Sequence, residues 1–221
     1  MTPHGPIYCE TGHPWLFMAE PVNTITNIFI LLAAVMALRE VRRARIGFPP
    51  GISVLLLLLF ATSIGSFFWH AFRTRMALAF DALPGLLFLF VFSGLWMCAL
   101  FGWLRALLGL TAMIAATIGA VWLWRHLGGA AGSPFQFAPG FVVIAVTGLG
   151  MVAATGRKFS AHEARLGLAV MFCAIAAAVC RSIDLLACSV IPIGTHFLWH
   201  ILLSAAAYMG IVLLLRMRRA R

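Results

Sequence analysis

The stretch "GISVLLLLLFATSIGSFFWHAF", residues 51–72, decides the fold class. A helix that crosses a bilayer needs about 20 consecutive, mostly apolar residues. This stretch meets that length, and His70 near its end is its only ionisable side chain. The run therefore predicts a membrane-spanning helix that carries one imidazole close to a membrane surface.

Apolar runs of similar length recur along the chain. The composition is 63% hydrophobic and only 10% charged over 221 residues, which is too apolar for a soluble domain of this size. We therefore predict an all-α fold: one integral membrane domain over residues 1–221, built as a seven-helix bundle. The predicted spans are residues 21–38, 51–72, 77–101, 106–124, 137–155, 164–186 and 193–215.

The basic residues predict the orientation of this bundle. Of the 16 Lys and Arg residues behind the formal net charge of +10, twelve fall on one side of the predicted spans. These twelve are Arg39, Arg42, Arg43, Arg45, Arg105, Arg157, Lys158, Arg165, Arg216, Arg218, Arg219 and Arg221. The other four are Arg73, Arg75, Arg125 and Arg181. Because basic connections stay in the cytoplasm, we expect the C-terminus inside and the N-terminus outside. The positive charge is then explained by membrane topology, and we expect the protein to contact the bilayer and not nucleic acid.

Polar side chains then gather at the outer end of three spans. His196 and His200 in "GTHFLWH" are four residues apart, so they share one helix face. Ser66 and His70 have the same spacing in "SFFWH", and Asp81 follows after a short turn. The predicted topology places all five side chains at one depth of the membrane, where ionisable groups usually mark function.

Three imidazoles that converge suit zinc, which takes nitrogen ligands and keeps one position for water in catalytic sites. Asp81 would then accept the proton of that water, and Ser66 would donate a hydrogen bond to a developing oxyanion. Taken singly, His70 or Ser66 also suits helix–helix hydrogen bonding. The pair of His196 and His200 also suits haem ligation or simple packing.

Two further pairs carry predictions. Arg181 and Asp184 lie three apart in the sixth span, and we expect them to form an ion pair because isolated charges there are unfavourable. Cys9 and Cys188 lie outside the spans or at the end of one, and we expect a disulfide between them at the oxidising outer face. The other three cysteines sit in apolar segments as small core residues: Cys98, Cys173 and Cys180.

Together these motifs resemble the alkaline ceramidases, members of a superfamily of seven-helix hydrolases that also holds adiponectin-receptor-like and Per1-like proteins. The resemblance rests on "SFFWH", "FDALP", "GTHFLWH" and the N-terminal "YCE" and "AEPVNTITN", and it runs from about Tyr8 to the end of the seventh span. It implies that His70, His196 and His200 bind zinc. It also implies that Ser66 and Asp81 lie around the zinc water.

The resemblance also implies a calcium site near the N-terminus, with Glu10 and Glu20 as ligands. The match is partial there: Ile7 stands where an Asp is usual, Gly12 and His13 occupy the region of a usual Asn, and the spacing between the two glutamates is one residue short. Calcium takes six to eight oxygen ligands, and this tail offers few from side chains. The alternative is that Glu20 caps the first helix, where its charge suits the positive end of the helix dipole.

For function, the resemblance implies a zinc-dependent amidase in the outer leaflet that cleaves a ceramide-like N-acyl lipid to a sphingoid base and a fatty acid. Two alternatives stay open: a receptor or sensor of the adiponectin-receptor-like type, and a haem-bearing electron-transfer subunit. An i, i+4 histidine pair is poor for haem, because both rings approach from one side. Metal analysis and an absorbance spectrum would separate these alternatives.

Overall fold

A computed structural model describes residues 8–11, 18–45, 47–129 and 135–220. Over these residues all regular secondary structure is helical. The helices are α1 (Pro21–Thr26), α2 (Ile28–Ala44), α3 (Pro50–Phe72), α4 (Arg75–Phe101), α5 (Trp103–His126), α6 (Ala138–Lys158), α7 (Ala161–Ala187) and α8 (His196–Arg219).

The eight helices in this part of the chain form seven spans that are long and apolar enough to cross a membrane. The number is seven because α1 and α2 together form the first span, Pro21–Ala44. The predicted all-α, seven-span architecture is confirmed. Most helices run past the predicted spans, because hydropathy marks the lipid-buried part whereas backbone hydrogen bonding continues into the polar flanks. The last helix instead begins late, at His196, since a turn that contains Gly194 at φ +67° precedes it.

The distribution of apolar side chains indicates an integral, multi-pass membrane protein. Large apolar side chains remain exposed on the outer faces of the helices, for example Leu57 at 69% and Phe172 at 70%. Inside the bundle, Leu55, Trp96 and Ile211 are fully buried. Exposed apolar area of this kind is stable only where lipid replaces water.

The chain path brings the polar helix ends to the same end of the bundle. Among them, α1, α4 and α8 begin there, and α3 and α7 end there. The central helix is α8, which packs against α1, α2, α3, α4 and α7. Polar side chains in the first turns of α8 therefore meet those in the last turn of α3, and the described part of the N-terminal segment, residues 8–11 and 18–20, contacts both.

Candidate metal centre

Three buried histidines converge at this end of the bundle. His70 lies in the last turn of α3, and His196 and His200 lie in the first two turns of α8. One ring nitrogen from each lies within 4.8 Å of the others, and each residue is at most 2% exposed. The Nε2 of His70 and the Nδ1 of His196 have no hydrogen-bond partner among the described residues. Buried, unpartnered nitrogens at this spacing form a donor set suited to a metal ion.

The imidazole of His70 is oriented by a carboxylate. Its Nδ1 lies 2.5 Å from Oε2 of Glu20, so Nδ1 carries the proton and Nε2 turns toward the other histidines. Such carboxylate–histidine pairs fix the tautomer of metal ligands and raise their basicity. Burial raises the pKa of the Glu20 carboxyl to about 7, while the guanidinium of Arg73 opposes this shift.

The imidazole of His200 is oriented by a hydroxyl. Thr26 Oγ1 lies 2.9 Å from His200 Nδ1, and the same hydroxyl donates to backbone carbonyls of α1, at 2.9 Å to Val22. Because the Thr26 proton is used there, the hydroxyl accepts from Nδ1–H of His200. The lone pair of Nε2 is then directed away from Thr26 and is available to a metal.

Asp184 fixes the start of α8, and its predicted ion pair with Arg181 is wrong. Asp184 Oδ1 accepts the backbone N–H groups of Thr195 at 2.7 Å and His196 at 2.8 Å, and Oδ2 accepts that of Cys9 at 2.9 Å. No ion pair joins Asp184 to Arg181, although both lie in the described part of the chain. Three N–H donors, two at the positive end of a helix, satisfy the buried carboxylate without burying a guanidinium beside it.

A glycine permits this contact. A Cβ atom on Gly194 would lie 2.1 Å from Oδ1 of Asp184 and 2.7 Å from Cβ of Cys9, and φ at Gly194 is +67°. Only glycine suits such a close approach in the left-handed region. Cys9 is joined by a disulfide to Cys188, with a Cα–Cα distance of 5.2 Å. The N-terminal segment is therefore tied covalently to the end of α7, beside the start of α8.

Ser66 and Asp81 lie on the neighbouring helices α3 and α4. Ser66 is buried one turn before His70, and its side chain interacts with the carboxylate of Asp81. Gly65 permits this pairing, because a Cβ there would lie 2.0 Å from the backbone oxygen of Phe80 and 2.8 Å from the backbone nitrogen of Asp81. Close helix approach at small residues is the usual packing mode in membranes.

Tyr8 is a site residue that the sequence did not single out. Its buried ring stacks on the imidazole of His196 at 4.0 Å between centroids and is tilted against His70 at 5.3 Å. The guanidiniums of Arg73 and Arg181 lie over the same ring, at 5.3 and 4.6 Å. Burial raises the pKa of the Tyr8 phenol, and Arg181 opposes that rise. The motif "YCE" included Tyr8, but neither spacing nor hydropathy assigned this residue a place beside the histidines.

The two glutamates assigned to calcium have other partners. Glu10 accepts the backbone N–H groups of Val22 at 2.6 Å and Asn23 at 2.8 Å, so it caps α1. The alternative that the Glu20 side chain caps this helix is wrong, because that carboxylate lies against His70 and Arg73 instead. Hydrogen-bond donors contact both oxygens of Glu10 and Oε2 of Glu20, and the guanidinium of Arg73 pairs with Oε1 of Glu20, so these residues do not fit a calcium ion. The departures at positions 7, 12 and 13 lie outside the described residues.

The model of one protein family, described as Ceramidase, matches residues 8–221. The match covers nearly the whole chain and includes all the site residues above. A search of the curated proteins finds no significant match.

Proposed function

The chain belongs to the ceramidase family, whose members are membrane hydrolases of amide bonds, and from this premise we propose that it is a zinc-dependent intramembrane amidase. Its substrates would be ceramide-like N-acyl lipids, which it cleaves to a sphingoid base, or another lipid amine, and a free fatty acid. The observation that carries the proposal is the set of three buried, converging histidine nitrogens. A structural role for these rings would not leave His70 Nε2 and His196 Nδ1 without partners.

The ligands of the zinc ion are His70, His196 and His200 in this proposal. When bound, zinc would supply a Lewis acid for the amide carbonyl and lower the pKa of water toward about 7. Glu20 contacts Nδ1 of His70 and Thr26 contacts Nδ1 of His200, while Asp184 accepts the backbone N–H of His196. Such supporting contacts keep the ligands in place while substrate enters and leaves.

Asp81 is the proposed general base and acid. Its carboxylate accepts the proton of the attacking water and then delivers it to the amine nitrogen as the C–N bond breaks. In the absence of substrate, Ser66 interacts with the carboxylate of Asp81. With substrate present, the Ser66 hydroxyl turns to the carbonyl oxygen and donates to the developing oxyanion.

A lipid substrate reaches this site from within the bilayer. Phe67 and Phe80, the chain neighbours of Ser66 and Asp81, present 39% and 61% of their surface to the outside of the bundle. Exposed aromatic surface beside the proposed catalytic pair suits acyl chains. The excess of basic residues at the opposite side of the bundle supports a position of this end in the outer leaflet.

The experiment is product analysis with purified protein. Wild type is incubated with a panel of N-acyl lipids that includes ceramides of different acyl length, and the amine and fatty acid are identified by mass. His200→Ala is the matched control, since it removes one ligand at the same site. We expect products from wild type only. If wild type releases no amine or fatty acid from any lipid of the panel, the proposed amidase activity is refuted. A haem absorbance band would favour the electron-transfer alternative.

A further inference from the structure

Arg73 lies next to Glu20, the residue that contacts His70, and has no role in the chemistry proposed above. It ends α3 with a left-handed backbone conformation, φ 56° and ψ 34°, and its N–H donates to the carbonyl of Trp69 at 2.9 Å. Its Nη1 lies 3.0 Å from Oε1 of Glu20, as an ion pair between side chains that are 18% and 4% exposed. The other oxygen of the same carboxylate holds Nδ1 of His70. Arg73 therefore contacts the group that orients a proposed zinc ligand.

The guanidinium of Arg73 is itself held in place by two aromatic rings. Its Cζ lies 4.2 Å from the ring centroid of Trp69 and 5.3 Å from that of Tyr8. Both aromatic residues are buried. A planar, delocalised cation stacks on such rings, whereas the compact ammonium of lysine does so less well. These contacts give the positive charge a defined position beside Glu20.

The backbone on the other side of this ion pair is also fixed. The N–H of Ala19 donates to the carbonyl of Ala71 at 2.9 Å, and the N–H of Glu20 donates to that of His70 at 3.1 Å. These bonds satisfy carbonyls at the C-terminal end of α3, which lack partners within the helix. The carboxylate of Glu20 is thus held between α3 and the guanidinium, and a buried charge in this position needs a cation beside it.

In the resemblance to alkaline ceramidases, calcium is the cation near these glutamates. Here the carboxylate oxygens of Glu10 face backbone N–H groups, and those of Glu20 face Arg73, His70 and Asn23. The group of side chains suited to a metal in the described part of the chain is the histidine cluster.

We infer that Arg73 supplies the positive charge beside Glu20 that calcium would supply in the alkaline ceramidases. The contacts from Arg73 to Glu20 and from Glu20 to His70 then position the zinc ligand His70 without calcium. Arg73 is a positioning residue, because it acts through Glu20 and does not touch the reacting atoms. The inference rests on the proposed role of His70 as a zinc ligand. It makes the metal centre dependent on one protein cation and independent of a second metal.

Two measurements test this inference. The first is the zinc affinity of purified R73Q and R73K, with R75Q as the matched control, because Arg75 is an exposed arginine two residues away. We expect R73Q to bind zinc roughly 10–100-fold more weakly, because loss of a group that supports a metal-bound histidine typically weakens metal binding by that factor. R73K keeps the charge but loses the stacking, so its affinity should lie between those of R73Q and R75Q. R75Q should bind zinc as wild type does.

The second measurement is calorimetric titration of zinc-loaded wild type with calcium chloride, together with its thermal unfolding midpoint. We expect no saturable calcium uptake and no shift of the midpoint. Zinc affinity in R73Q equal to that in R75Q would overturn the inference, and so would saturable calcium binding to wild type. The titration needs no variant, so it decides the matter even where R73Q does not fold. Neither measurement reads amide hydrolysis, so failure of the proposed reaction remains a separate result.

Discussion

The carboxylate of Asp184 accepts the backbone N–H of His196 at 2.8 Å. His196 is the first residue of α8 and a proposed metal ligand, so Asp184 caps the helix at the ligand itself. The same carboxylate accepts the N–H groups of Thr195 and Cys9. One side chain therefore joins the N-terminal segment, α7 and α8. Changes at Asp184 should affect fold and metal centre together.

The first prediction concerns this cap. Asp184→Ala should lower the free energy of unfolding by at least about 3 kcal/mol, since it leaves three N–H donors without an acceptor at roughly 1–3 kcal/mol each. Asp184→Asn keeps one acceptor oxygen and should lose less. Both variants should hold less zinc than wild type, because His196 shifts with its helix end. Thermal unfolding in detergent and metal analysis measure the two effects.

The control for the cap is Glu163→Gln, which removes a carboxylate from the first turn of α7, at the opposite end of that helix from Asp184. It should keep the zinc content and nearly all the stability. If Asp184→Ala unfolds at the same temperature as Glu163→Gln, the cap does not hold α8 in the way described.

The second prediction concerns Gly65, where α3 and α4 meet. Gly65→Ala places a methyl group against the backbone of Phe80 and Asp81, so α4 must move and Asp81 moves with it. We expect a loss of about 1–3 kcal/mol of stability and a large loss of hydrolysis with zinc still bound. Gly119→Ala is the matched control, since a Cβ at Gly119 in α5 meets nothing within 4 Å.

Gly119→Ala should be neutral or stabilising by up to about 1 kcal/mol, because alanine favours the helix. Wild-type rates of amide hydrolysis in Gly65→Ala would show that the close approach of α3 and α4 has no part in the reaction.

The third prediction separates chemistry from structure at Asp81. Asp81→Asn keeps the shape of the side chain and one acceptor oxygen for Ser66, but it cannot accept a proton. Zinc content and unfolding temperature should stay near those of wild type, while turnover falls by about 10²–10⁴-fold, the usual contribution of a general base. If zinc content or protein yield falls instead, Asp81 is a structural partner or a ligand. Wild-type turnover would remove it from the mechanism.

The fourth prediction concerns the bridge between Cys9 and Cys188. Thiol labelling of the denatured, unreduced protein should leave both cysteines unmodified, and Cys9→Ser or Cys188→Ser should lower the unfolding temperature. Cys173→Ser is the control, because Cys173 has a free thiol within α7. Labelled Cys9 in protein taken directly from the membrane would contradict the bridge.

Local sequence signals account for much of this architecture. Seven apolar runs predicted seven spans because hydropathy and helix period are properties of neighbouring residues. The four-residue spacings predicted that Ser66 shares a helix face with His70, and His196 with His200. The orientation of the bundle in the membrane stays a prediction from the basic residues.

The supporting contacts could not be predicted, because they join distant parts of the chain. Glu20 and His70 are 50 residues apart, and Cys9 and Asp184 are 175 apart. Asp184 was paired with Arg181 in the prediction because only local partners are visible in a sequence. In the fold, the start of α8 offers better donors to its carboxylate. Tyr8 stacks on His196 although 188 residues separate them in the chain.

The most direct test of the central claim is zinc restoration of activity. Purified wild type is stripped of metal, then supplied with zinc, and fatty acid release from a hydrolysable N-acyl lipid is measured before and after, beside His70→Ala and His196→Ala. We predict about one zinc per chain in the wild type, no release after stripping, and recovery with zinc in the wild type alone. Full activity in the stripped protein, or a full complement of zinc in both histidine variants, would contradict the proposed metal centre.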